Sequence, residues 1–300
     1  MKFLILLLPF LLLANSTFLQ INQPTVVIRI DDIQDLEQGS TFAEAQTNVL
    51  EYHIEQKIPV LIAIIASDFG SDEQLLDTVK RGIQLGVFTP AIHGWYHEPL
   101  TNYTPVEQLA QIKMAEAKLE SLLGVEVNAL VPPNDAFNDA TVEAARESNL
   151  TLISSSIYSG DIPRIDNGML FIPETVSTAE LDATRTGWVP DSLKTIIDQT
   201  QQSWAQYGTA TIVLHPRQFL DANQTWDKNR WDLYLQTLEW VRLEGGQIIN
   251  AHDARPVAKN TSNVNWLFLG GLSVAVPVLA IAYRYRSKAR SKPTEDRTKW

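Results

Sequence analysis

From Pro24 to Asp253 the chain repeats one rhythm: a short, β-branched apolar run, then a longer stretch with helical spacing. TVVIRID (25–31) reads as a strand. PVLIAIIA (59–66) is apolar on both faces, as in strands buried in a parallel sheet. VFTPAIHG (87–94), EVNALVPP (126–133), LTLISSS (150–156), TATIVLHP (209–216) and QIINAHD (247–253) continue the series. Helices are predicted between them. One runs from Thr41, with Glu44 in a capping box, to Gln56, and another from Ser71 and Gln74 to Leu85. A third follows a Thr104/Glu107 box with Pro105 in its first turn and reaches Leu123. Three more cover 139–147, 190–207 and 226–243, and residues 157–190 read as irregular. Repeated strand–helix units imply parallel strands with right-handed crossovers. About seven strands fit an irregular (β/α) barrel of the α/β class better than an open sheet, although the pattern alone does not choose between them.

The two ends break this rhythm. MKFLILLLPFLLLANS (1–16) has one lysine, an apolar run and small residues, the layout of a secretory signal peptide rather than a retained anchor. WLFLGGLSVAVPVLAIAY (266–283) carries no charge and is long enough to cross a bilayer as a helix. Pro277 is tolerable there. The tail 284–300 holds seven Lys and Arg against Glu295 and Asp296, which predicts a cytoplasmic C-terminus. The segment 24–253 is then an extracellular domain, joined through a linker (254–265) to a single-pass anchor in the cell membrane. Sequons at Asn15, Asn102, Asn149, Asn223 and Asn260 fit a glycoprotein surface. The whole chain has a formal charge of −11, and its basic tail makes the preceding part more acidic still, which argues against nucleic acid as a partner. With no cysteine, disulfides and thiolate metal sites are excluded.

In a barrel of this kind, polar residues at the C-terminal ends of strands build the site. Asp31 and Asp32 end the first predicted strand, His93 the third, His215 a late one and His252 the last. Four of the five histidines therefore fall on the expected functional face, with His53 in a helix. In IHGWYHEPL (92–100), His93 and His97 are four residues apart. Alone, such a pair can be two hydrogen-bonded loop histidines. Beside an aspartate pair in a cysteine-free chain, it suggests a His₂Asp site suited to Zn²⁺ with a position open for water.

This constellation resembles the polysaccharide deacetylase family (NodB-like, carbohydrate esterase family four). Arg29-Ile30-Asp31-Asp32-Ile33 is similar to its first motif, T-F-D-D-G, and His93-Gly94-Trp95-Tyr96-His97 to its second, H-[ST]-x-x-H. VPPNDAFND (131–139) is similar to the third and IVLHP (212–216) to the fifth, in order over residues 25–253. The resemblance implies that Asp32, His93 and His97 ligate a divalent metal, most simply Zn²⁺. It further implies that Asp31 is the general base, that His215 protonates the leaving amine, and that the backbone N–H of Asn134 helps to hold the oxyanion. The implied activity is removal of N-acetyl or similar acyl groups from a cell-surface or extracellular glycan.

Three positions depart from the family pattern. Ile33 replaces the glycine after the aspartates, Val131 replaces the arginine of the third motif, and the fourth motif, D-x-x-D-W, is absent, though Trp188 lies at a plausible place. Positions i and i+2 of a strand share a face, so Arg29 points the same way as Asp31 and can stand in for the missing arginine. A flared strand end would instead leave Arg29 on the surface. Trp95, Trp188, Trp226 and Trp231 are either sugar-stacking or packing residues. Two other functions compete: a tethered carbohydrate-binding module without turnover, and a barrel metallo-amidase acting on another amide.

Overall fold

The computed structural model describes residues 23–184 and 187–257. The elements run in the order β1 (Thr25–Ile33), α1 (Thr41–Gln56), β2 (Val60–Ile64), α2 (Glu73–Gln84), β3 (Phe88–Ile92), α3 (Pro105–Leu123), β4 (Ala129–Leu130), α4 (Asp139–Glu147) and β5 (Leu152–Ile153). The segment read as irregular holds five short strands: β6 (Arg164–Asp166), β7 (Met169–Phe171), β8 (Val176–Ser177), β9 (Ala179–Leu181) and β10 (Trp188–Pro190). Then come α5 (Leu193–Tyr207), β11 (Thr209–Leu214), α6 (Lys228–Leu243) and β12 (Gln247–Ile248).

The main sheet has the order β6-β7-β5-β4-β3-β2-β1-β11-β8, with β12 beside the start of β1. All its pairings are parallel except β6 with β7. The sheet curls into an incomplete barrel. Residues 169–177 bridge its two edges, because β7 pairs with β5 while β8 pairs with β11. Between them, Glu174 N donates to Ser155 O and Thr175 N to Thr211 O. The expected irregular barrel is thus seen as a half-barrel of mostly parallel strands.

Strand alternation sorts the apolar residues into two layers. Val26, Ile28 and Ile30 of β1 pack outward among the helices, with Val49, Leu50, Ile112 and Leu238. Val27 points inward with Leu61, Ala63, Ala91, Ala129, Val131, Leu152 and Ile172. Ala251 and Ala254 close this inner layer from below, where Ile249 N donates to Val26 O at the first turns of β1. His252 lies in that closing turn, at the N-terminal end of the barrel. The expectation that it belongs to the functional face is wrong. The cause is a short last strand that ends level with Val26 instead of reaching the far end.

Two helix starts shift by one residue. Ser40, not Thr41, caps α1 and accepts from Ala43 N, and Asp72, not Ser71, caps α2 and accepts from Gln74 N and Leu75 N. The Thr104/Glu107 capping box of α3 forms as predicted. Helix α5 begins at Leu193 behind Ser192 instead of at Pro190. Among the described residues, no helix is long and apolar enough to cross a membrane. The predicted signal peptide (1–16) and the predicted span (266–283) lie outside the described residues.

Candidate active site

The end of β1 builds one wall. Ile30 pairs with Ile62 and Ile33 with Ile64, so β1 takes three steps where β2 takes two. The extra residue is absorbed at Asp32, which has a φ of 63°. Such a bulge re-aims one side chain without disturbing its neighbours. Asp31 keeps the inward face of Arg29, and Asp32 turns towards His93, the residue after β3.

Asp32 Oδ1 lies 3.4 Å from His93 Nε2 and 3.1 Å from His97 Nε2, and the two Nε2 atoms are 3.1 Å apart. His93 Nδ1 donates to Val131 O at 2.8 Å, which leaves Nε2 facing the cluster. His97 adopts a φ of 70° to bring its ring back over His93. Gly94 makes this turn possible: its φ is 73°, and a Cβ there would stand 2.7 Å from Pro133 Cγ.

The donor set fits a divalent cation. Two imidazole nitrogens and a carboxylate oxygen crowd one point, and Asp32 Oδ1 is buried without a hydrogen-bond partner. A proton on one ring can satisfy part of this arrangement, whereas a cation satisfies all three donors at once. In the metal-free protein, burial pushes the Asp32 carboxyl up, but its contacts with His93 and His97 outweigh burial and hold it well below the usual carboxylate range. Burial also pushes the His93 ring down, and its contact with Asp32 reverses the sign, so its pKa is raised.

Beside this cluster, Arg29 is 1% exposed and lies inside the barrel, not on a flared end. Its Nε donates to both oxygens of Asp31 at 2.9 and 3.1 Å, and Nη2 donates to Asp31 Oδ2 at 2.7 Å. Its remaining donors meet Ser154 O, Ser154 Oγ, Ser155 O and Asp135 Oδ1. His215 Nε2 faces Asp31 Oδ2 from the other side at 4.0 Å. Burial lowers the pKa of His215, and the nearby Asp31 and Asp32 only partly restore it. Trp188 stacks on the His215 ring, with centroids 4.3 Å apart. Asn134 has a φ of 55° and Asp135 a φ of 53°, two left-handed residues in succession at the rim.

Arg29, Asp31, Asp32, His93, His97, Asn134, Trp188 and His215 therefore line one cleft of about 290 Å³, from which His252 is absent. Asp135, from the VPPNDAFND run, lines it too, as do two residues that the sequence did not flag, Glu174 and Leu181. Burial pushes the Glu174 carboxyl up to about 7, against the pull of Arg29 and with the help of Asp135 and Asp31. Nothing in the sequence marks Glu174, since it belongs to the bridging run between β7 and β8. Trp188 lines the cleft, whereas the other three tryptophans pack. Trp95 lies against the core beneath Lys118 Nζ, and Trp226 and Trp231 join an aromatic cluster with Phe219.

Residues 20–153 match the family model of polysaccharide deacetylase. Over this stretch, just under half of its length, the chain is similar to the polysaccharide deacetylase family, as a divergent match. Solved structures with this fold include a carbohydrate esterase family 4 pseudoenzyme from Bacillus anthracis, at 15% identity and a TM-score of 0.51 over 77% of this chain and 65% of that one. This chain thus spans less than two thirds of that neighbour's length. A peptidoglycan N-acetylglucosamine deacetylase, solved with a naphthalenyl N-oxidanyl-benzamide, matches at 17% identity and a TM-score of 0.51, covering 77% of this chain and 87% of its own. A family 4 acetyl xylan esterase from Clostridium thermocellum, solved with a cobalt ion, matches at 11% identity and a TM-score of 0.51, covering 76% and 89%. At these identities the likeness is one of fold. No curated protein matches the chain.

Proposed function

We propose that the protein is a metal-dependent hydrolase that removes N-acetyl or similar acyl groups from a cell-surface or extracellular glycan. The observation that carries this reading is the convergence of Asp32, His93 and His97 on one point beside an Arg29-gripped Asp31, with His215 opposite. Asp32, His93 and His97 would hold the metal, Zn²⁺ being the simplest choice for two imidazoles and a carboxylate. Bound there, the ion would supply Lewis acidity towards the acyl carbonyl and a water.

The chain's own residues divide the remaining work. Asp31 takes the proton of the attacking water, and Arg29 fixes both carboxylate oxygens so that the accepting lone pair keeps its direction. The Asn134 backbone N–H would help to hold the oxyanion as a preorganised donor, a role its position in the cleft lining supports. As the C–N bond breaks, its electron pair goes to nitrogen and His215 gives that nitrogen a proton. Trp188 and Leu181 offer an apolar wall to a sugar ring. Acetate release from chito-oligosaccharides by the zinc-supplemented protein tests the reading. Metal binding without acetate release would favour the tethered binding module, a reading to which the pseudoenzyme neighbour and Val131 lend weight. Release from small amides but not from glycans would favour the metallo-amidase.

We further propose that the protein acts outside the cell membrane, tethered by its C-terminal segment. The signal-like start, the apolar stretch 266–283 and the basic tail support export, with the catalytic domain outside and the C-terminus inside. Asn102, Asn149 and Asn223 are exposed, as glycan acceptors must be. Protease access on intact cells tests this. A tag after Trp300 should survive while the domain is cut, and the reverse pattern would overturn the topology.

A further inference from the structure

His215 stands at the start of a turn, where its ring would be free to swing unless something fixes it. The usual device is a carboxylate on the ring, and Asp31 is 4.0 Å away and already committed to Arg29. What touches the ring is the Trp188 indole, stacked at 4.3 Å with 28° between the planes. Trp188 belongs to β10, which pairs with β9 in a two-stranded sheet separate from the barrel. That ribbon cannot hold the indole in place by itself.

One guanidinium ties the pieces together. Arg230, in the first turn of α6, directs Nη1 at the carbonyls of Trp188 (3.0 Å), Gln218 (3.0 Å) and Leu220 (2.7 Å). Its Nε faces Asp227 Oδ2 at 3.2 Å, and the side chain is 18% exposed. Gln218, buried in the turn after His215, continues the frame. Its Oε1 accepts the His215 N–H at 3.0 Å, and its Nε2 donates to Thr178 Oγ1 at 2.8 Å. Thr178 Oγ1 donates in turn to Val213 O at 2.8 Å. The main chain on both sides of His215 is thus fixed to the segment that leads into β9, and Arg230 fixes β10 to the same turn. Asp191 N, just after β10, donates to Thr178 O at 3.0 Å, and Arg230 adds the side-chain link between the Trp188 carbonyl and the turn after His215.

We propose that Arg230 is a positioning residue that holds Trp188 against His215, and that this indole plate sets the direction of the His215 proton. The inference rests on the reading of His215 as the proton donor to the leaving nitrogen. Direction matters only where a proton is needed. An expelled amine takes the C–N electron pair and must gain a proton, whereas an activated phenolate leaves without one.

The test compares acetate release from chito-oligosaccharides with hydrolysis of 4-nitrophenyl acetate, using the full-length, zinc-supplemented protein. For Arg230→Met, amide kcat should fall roughly 10-fold or more, while ester kcat stays within about 3-fold and bound zinc is unchanged. Trp188→Phe should keep most of the amide rate, because a flat ring remains. Asp227→Asn keeps the helix cap but loosens the grip on Arg230 Nε, so it should show a smaller split of the same kind and decides the matter if Arg230→Met fails to fold. Parallel losses on both substrates would reduce Arg230 and Trp188 to structural roles and overturn the proposal. His215→Ala separates this failure from a deeper one. If it shows the amide–ester split and Arg230→Met and Asp227→Asn do not, the proposal alone fails. If it lowers both rates equally, His215 is not the donor, and the proposal falls with that reading.

Discussion

Arg29 is the residue whose role was most legible in advance. A two-residue spacing on one strand put it beside Asp31, and the structure places its guanidinium across both Asp31 oxygens. Arg29→Met should leave Asp31 buried without its cation. We expect a stability loss of about 3–5 kcal/mol, read by urea unfolding, and a fall in turnover of at least about tenfold. An enzyme with unchanged activity and an unchanged pH profile would remove Arg29 from the site. Glu174 is the opposite case, since no local pattern marks a cleft-lining acid within an irregular run. Its raised pKa, about 7, means that the folded state holds this proton more tightly than the unfolded chain does. The stability that this gives is complete below the unfolded value of 4.5 and is lost as pH rises through 7. In metal-free protein, Glu174→Gln should therefore raise Tm at pH 8 more than at pH 4.5. An equal shift at both pH values would contradict the assignment.

At the scale of elements, strands and helices were legible wherever the apolar period was long, and poorly legible where pairing is short. The helix Asp139–Glu147 begins and ends where predicted, and the longer helices ended within a residue or two. EVNALVPP shrinks to the two residues of β4, because Pro132 and Pro133 have no amide hydrogen to give the ladder. The cap of α2 fell on Asp72 rather than Ser71 because a carboxylate one residue later reaches two amides, Gln74 N and Leu75 N. Asp72→Ala should cost about 1 kcal/mol by urea unfolding and spare metal binding. The bulge in β1 could not be read at all: alternation says that Asp31 and Asp32 face opposite ways, but only the pairing with β2 reveals the turn that points Asp32 at His93. Gly94 carries a similar hidden constraint. Gly94→Ala should distort the His93–His97 loop, because the left-handed backbone and Pro133 both oppose a side chain, and bound metal should fall with it.

Across the whole molecule, the fifth histidine sets an acid limit on stability. His53 is fully buried between α1 and α6; its Nδ1 meets Val49 O, and its Nε2 meets Tyr234 Oη at 2.7 Å. Burial holds its pKa down at about 4 against an ordinary 6.5, despite the bond to Val49. The unfolded chain therefore binds a proton that the folded one refuses. Stability present above pH 6.5 should decline as pH falls towards 4, by roughly 3 kcal/mol in total. Urea unfolding between pH 7 and 4 should show this slope, and His53→Leu should flatten it. Glu174 works in the opposite direction over part of the same range, so the two variants must be compared separately.

A carbohydrate esterase family 4 pseudoenzyme shares this fold at 15% identity, so turnover has to come from the site's own residues. In this chain Asp31 is gripped from its own strand by Arg29, and the His215 ring is stacked on an indole. The proposed turnover needs, in addition, a metal at the Asp32–His93–His97 point. The most direct test is the divalent metal content of the purified protein, measured by plasma mass spectrometry after dialysis against trace zinc, beside a His93→Ala, His97→Ala double variant. Close to one zinc per chain is expected in the first and almost none in the second, with the fold retained by circular dichroism. Equal metal in both, or none in the unaltered protein, would contradict the metal assignment.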